Sequence, residues 1–152
     1  MLATACRCFA LAGGAIFALL TLMSAVSIAG RLLGRPIQGD FELVQLGCAV
    51  AISFCLPYCQ LKRGHIIVDF FTTRASARTR GLLDALGAFL LALVMALVAW
   101  RTGVGALAMK ASNESSMIMG VPVWYSYALM TPAFALCALA ALDTAWQELQ
   151  HQ

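Results

Sequence analysis

Four long stretches of this chain are almost free of charge: residues 9–30, 41–60, 81–101 and 123–145. Each is close to the roughly 20 residues that a helix needs to cross about 30 Å of hydrocarbon. Each is far too long for a core strand. Composition points the same way: 62% of the residues are hydrophobic and 11% charged, against roughly 25% charged in soluble domains. Such a chain cannot dress a water-facing surface. The expectation is an all-α integral membrane protein, with four transmembrane helices forming a single domain over residues 1–152. The first stretch exceeds the apolar core of a signal peptide, about 7–15 residues, and is read as a span.

The basic residues set the orientation. Lys62, Arg63, His65, Arg74, Arg78 and Arg80 all fall between the second and third stretches, and short loops rich in Lys and Arg stay in the cytoplasm. Both termini are then cytoplasmic, and loops one and three face outward. Six of the ten Lys and Arg residues lie inside (Arg7, Lys62, Arg63, Arg74, Arg78, Arg80) and four outside (Arg31, Arg35, Arg101, Lys110). The net charge of +3 comes in short clusters at the ends of apolar runs, not in the broad basic stripe that binds nucleic acid. After the basic knot the chain turns apolar again. Wound at 100° per residue, Ile66, Ile67, Phe70 and Phe71 share one side of residues 66–73, and Asp69, Thr72 and Thr73 the other. This predicts a short interfacial amphipathic helix between helices 2 and 3, lying among lipid headgroups, unless the segment extends the second span or packs on a partner.

The spans carry little chemistry. Ionisable residues inside a membrane mark transport pathways, and here Glu42, Asp84, Arg101 and Asp143 all lie near the ends of the expected spans. Pro57 and Pro132 can kink helices but have no charge beside them. The two histidines, His65 and His151, stand outside the spans, so no nucleophile with a base is in view. The six cysteines form no C-x-x-C and no zinc spacing. No catalytic, substrate-binding or metal-ligating residue and no cofactor is expected. What the spans offer is rows of small residues: Ala88, Ala92 and Ala96 on the third, and Ala133, Cys137, Ala141 and Ala145 on the fourth. Such rows let helices approach closely in lipid, within the chain or against a larger partner. The loops add turn residues (Gly34, Pro36, Gly39), carboxylates before the second span (Asp40, Glu42), and a proline and aromatic residues at interface depth before the fourth (Pro122, Trp124, Tyr125, Tyr127). This is the pattern of an accessory subunit.

Three local motifs sharpen that reading. In "RLLGRPIQGDFEL" stand Arg31, Gly34, Arg35, Pro36 and Glu42; in "KRGHIIVDFF" stand Arg63, Gly64, His65, Ile66, Val68 and Asp69; in "SSMIMGVPVWYSY" stand Ser115, Ser116, Pro122, Trp124 and Tyr127. In order and spacing, over nearly the whole chain, these resemble the small permease (Q-type) membrane subunit of tripartite ATP-independent periplasmic (TRAP) transporters. The resemblance implies a non-catalytic scaffold in the bacterial inner membrane. Its partners would be a large TRAP membrane subunit and, through the complex, a periplasmic substrate-binding protein, with phospholipid around them. The assembly would import carboxylate-type solutes on a sodium gradient.

The matched polar residues then serve as structural or subunit-interface candidates. Arg31 and Glu42 are expected to meet near the periplasmic interface, unless both merely face headgroups. Arg63, His65 and Asp69 are expected to form a bonded cytoplasmic corner with Gly64 at the bend, unless they are solvated loop charges. Three rival readings fit less well. The small membrane subunit of a tripartite tricarboxylate transporter also has four spans but is less favoured by the motifs. A membrane thiol-redox protein needs paired cysteines in the outer loops, which have none. A small multidrug exporter needs a carboxylate well inside a span.

Overall fold

The computed structural model describes residues 2–34, 38–62 and 77–150, with side chains described outside 77–84 and 148–150. The described residues form four helices: α1 (Leu2–Leu32), α2 (Asp40–Leu61), α3 (Ala77–Ala111) and α4 (Trp124–Gln150). All four are long and apolar enough to cross a membrane. The segment expected to form the interfacial helix lies outside the described residues, as do Arg63, Gly64, His65, Asp69 and Pro36.

Backbone chemistry explains the helix ends. The last turn of α3 closes with the Glu114 N–H donating to the Met109 carbonyl (3.2 Å) and the Asn113 N–H to Lys110 (3.4 Å). Asn113 takes the left-handed conformation, φ 52°, which asparagine tolerates better than most residues and which ends helices in this pattern. Within the spans, hydroxyls donate to their own helix: Thr21 to Phe17, Ser53 to Val50, Thr131 to Tyr127 and Thr144 to Ala140. In hydrocarbon an unpaired polar group costs several kcal/mol, and these local bonds avoid that cost without any partner helix.

The helices form a row in the order α1, α2, α4, α3. α4 packs along both α3 and α2, α2 also packs along α1, and α1 meets α4 only marginally. Burial follows that order. Among the spans, α4 is the most enclosed and α1 the least.

Small residues set each seam. On α4 the expected row Ala133, Cys137, Ala141 and Ala145 is buried, joined by Ala138 and Ala140. On α3 the expectation needs correcting. Ala96 is exposed and Ala88 half-buried; the buried set is Ala85, Ala92, Ala99 and Ala106. That interval is seven, not four. A strict seven-residue repeat keeps one stripe on a neighbour while the two helices coil slightly about each other, so it holds contact over a longer seam.

α3 also runs further than expected. Its 35 residues span about 52 Å at 1.5 Å each. Arg101, expected near the end of its span, lies ten residues before the last residue, Ala111, with its side chain exposed.

At the α1–α2 seam the critical residue is Gly13. A Cβ there would sit 2.9 Å from the Ala51 carbonyl oxygen, 3.0 Å from Cys55 Sγ and 3.1 Å from Phe54 Cβ. The same approach brings the Phe9 and Phe54 rings to 4.9 Å between centroids. Gly14 next to it has nothing within 4 Å. Gly13→Val is therefore expected to lower stability by about 1–3 kcal/mol through overpacking. Gly14→Ala should be neutral or gain up to about 1 kcal/mol from helix propensity. Thermal unfolding of the two variants in detergent checks the contrast.

Candidate functional site: two carboxylates joining the helix ends

The most elaborate polar structure among the described residues lies where loops one and three meet. Two carboxylates at the start of α2 organise it. Successive helical residues are turned by about 100°, so Asp40 and Glu42 point roughly 200° apart and cannot serve the same neighbour.

Asp40 faces α1. Ser27 and Arg31, four residues apart and hence on one face of α1, converge on it. Arg31 Nη2 donates to Oδ2 at 2.7 Å, the buried Ser27 hydroxyl donates to the same oxygen, and the Phe41 N–H donates to Oδ1 at 2.8 Å. The arginine expected to meet Glu42 thus meets Asp40. Asp40 lies on the α1 side of the helix, and Glu42 is turned away from it. Ser27, which no motif singled out, was legible only as the residue one turn before Arg31.

Glu42 faces loop three. Residues 114–123 form a small hairpin, closed by an antiparallel bridge between Ser115 and Pro122. The Ser116 N–H donates to Val121 at 2.9 Å and the Val123 N–H to Glu114 at 3.1 Å. The hairpin tip folds back over the first turn of α2. There the Ser116 hydroxyl donates to Glu42 Oε2. The N–H groups of Met117 (3.1 Å) and Ile118 (3.2 Å) donate to Oε1, and that of Met119 (3.4 Å) to Oε2. One carboxylate therefore collects a hydroxyl and a fan of backbone donors that the turn would otherwise leave to water. Gly39 completes the fit. Its φ of 80° is left-handed, and a Cβ on it would overlap the Met119 side chain.

The other candidates take supporting places. Gly34, φ 72°, follows the end of α1. Ser115 and Pro122 hold the hairpin base. Trp124 opens α4, stacks on Tyr125 at 4.1 Å between centroids and receives the Lys110 ammonium at 5.1 Å from its ring centroid. The Tyr127 ring lies against Gly105 of α3. Ser116, Glu42, Pro122 and Trp124 are brought together at one end; Arg31 is near them but serves the other carboxylate.

Chemically this is a joint. Among the described residues no three His, Cys, Asp or Glu side chains are grouped to hold a metal ion, and all six cysteines are free thiols. Asp40 ties α1 to α2; Glu42 ties α2 to the hairpin that leads into α4. Glu42→Gln is expected to loosen the second tie while sparing the first. Amide hydrogen exchange at residues 117–119 should speed up on the order of tenfold, with Asp40→Asn leaving those amides near their original rates. Exchange measured by mass spectrometry on the loop-three peptide checks both.

The family described as "Tripartite ATP-independent periplasmic transporters, DctQ component" matches residues 8–151. No curated protein and no solved structure matches the chain. Because the family match covers nearly the whole chain, the protein belongs to the DctQ family, the small membrane subunits of TRAP transporters.

Proposed function

We propose that the chain is a non-catalytic scaffold that docks on the large membrane subunit of a sodium-coupled TRAP importer of carboxylate-type solutes. It sits in the bacterial inner membrane with both termini cytoplasmic, serves a periplasmic substrate-binding protein through the complex, and is bathed in phospholipid. The candidate residues, from Arg31 and Glu42 to Trp124 and Tyr127, keep the helix ends in register for that docking.

The observation that carries this reading is the row of helices. Among the described residues the helices lie side by side, and their seams are filled by small buried side chains such as Ala133, Cys137, Ala140 and Ala141, which supports a packing part over a solute path. An open apolar groove between α3 and α4, about 610 Å³ and bounded by Trp100, Val104, Leu107 and Pro132 among others, faces outward. It suits a neighbouring helix or acyl chain better than a polar solute.

Arg101 adds support. It lies one turn deeper in α3 than Gly105, which the Tyr127 ring touches, and among the described residues it makes no hydrogen bond or ion pair. An arginine within a span costs roughly 2.5–3.5 kcal/mol on insertion scales at the helix centre. Snorkelling to headgroups reduces that cost; so does a polar group on a partner docked along α3.

Two measurements test the reading. Affinity capture of tagged chain from gently solubilised membranes is expected to bring down a much larger multi-span protein, and vesicles holding the chain alone should move no solute. Uptake by the chain alone would overturn the scaffold reading. Arg101→Leu is expected to leave the membrane level of the chain unchanged and reduce capture of the large partner several-fold. Unchanged capture would move the docking face away from α3.

A further inference from the structure

The hairpin between α3 and α4 ends in an unusual sequence. Turn tips are dominated by Gly, Asn, Asp, Ser and Pro. This one reads Met117-Ile118-Met119-Gly120, and no charged residue occurs from Ser115 through Trp124. Met117 is 98% exposed and Ile118 62%, and Phe41, next to the carboxylate that holds the tip, is 75% exposed. Among the described residues, Met117 has almost no cover, and Ile118 and Phe41 are mostly exposed.

We propose that this tip lies in the lipid headgroup layer, as an apolar wedge that anchors one end of the helix row. Three observations select lipid. First, Glu42 draws the tip backbone down onto the first turn of α2, the level at which an apolar span begins, so the tip cannot stand up into water. Second, the hairpin base carries Lys110 over Trp124 and the Trp124–Tyr125 stack, side chains that favour the membrane–water boundary. Third, the patch continues the apolar surface of the spans: Leu32 and Leu33, at the same end of the row, are also more than 80% exposed. The anchor has a mechanical use. α1 and α3 are longer than a bilayer requires, which leaves their tilt open, and interfacial contacts are what fix tilt. This goes beyond the scaffold reading and needs only that the helices span a bilayer.

The test uses the full chain in vesicles of phosphatidylethanolamine and phosphatidylglycerol. With the native cysteines replaced by serine, a nitroxide is attached through Met117→Cys or Ile118→Cys, and through Glu114→Cys at the hairpin base as a reference. Collisions with oxygen, which concentrates in lipid, are compared with those of a water-soluble nickel chelate. The expected result is an oxygen-to-nickel ratio at 117 and 118 several-fold above that at 114. Equal ratios overturn the proposal. So does a label open to nickel in the chain alone and shielded from both reagents once partner subunits are present, which would make the tip a protein-docking element. The wild-type chain provides a second readout. Met117 has almost no protein cover, so a water-borne oxidant should convert it to the sulfoxide at least tenfold more slowly in vesicles than in denatured chain. Similar rates refute immersion.

Discussion

Close approach of small side chains is the constraint on which this structure depends. Lipid tails are as apolar as leucine, so helices in a bilayer gain nothing by hiding greasy surface from them; they associate through packing and short polar bonds. α4 supplies the closest surface, with Ala133, Cys137, Ala140, Ala141 and Ala145 all buried. Because small residues occur on more than one side of α4, it can receive α3 and α2 at once. The α1–α2 seam depends on the bare backbone of Gly13. Larger residues at these positions would push the helices apart, and nothing in the hydrocarbon would pull them back.

That packing gives the row its internal order. The α1–α2 and α3–α4 pairs are two antiparallel hairpins set back to back, with α2 and α4 parallel at the centre. Both connecting loops therefore open at the same end, which is why loop three can reach the start of α2. There the medium changes and so does the chemistry. Asp40 and Glu42, two residues apart and pointing in nearly opposite directions, bind the outer helix on one side and the incoming hairpin on the other. Packing fixes the lateral order of the row; the carboxylates fix the relative heights of its members at that end.

The proposed scaffold role fits a plan that differs from that of a carrier. A carrier needs a cavity with polar walls and two arrangements of similar energy. This chain spreads its helices in a layer, bonds the hydroxyls of Thr21, Ser53, Thr131 and Thr144 within their own helices, and joins its loops with several bonds to one carboxylate. Among the described residues its two faces are broadly apolar, and Arg101 is an exposed cation on one of them. These properties support the scaffold role proposed above for this member of the DctQ family.

Much of this was written in the residue order. Run length and scarcity of charge required four membrane helices, because only a helix satisfies its backbone within about 30 Å of hydrocarbon. The three local motifs pointed to the family. The small row on α4 was legible because its spacing of four is a helical repeat. The row on α3 was equally present, at intervals of seven, but which alanines face a neighbour depends on the coiling of two helices together. The depth of Arg101 was hidden because an apolar run can end before its helix does. The partner of Arg31 was beyond the sequence: Asp40 and Glu42 are chemically equivalent candidates, and only the rotation of α2 against α1 and the hairpin decides between them. Local sequence determined what each segment becomes, since backbone satisfaction in lipid is a local demand. Tertiary structure alone decided which segments touch, since that follows from the shapes and rotations of whole helices.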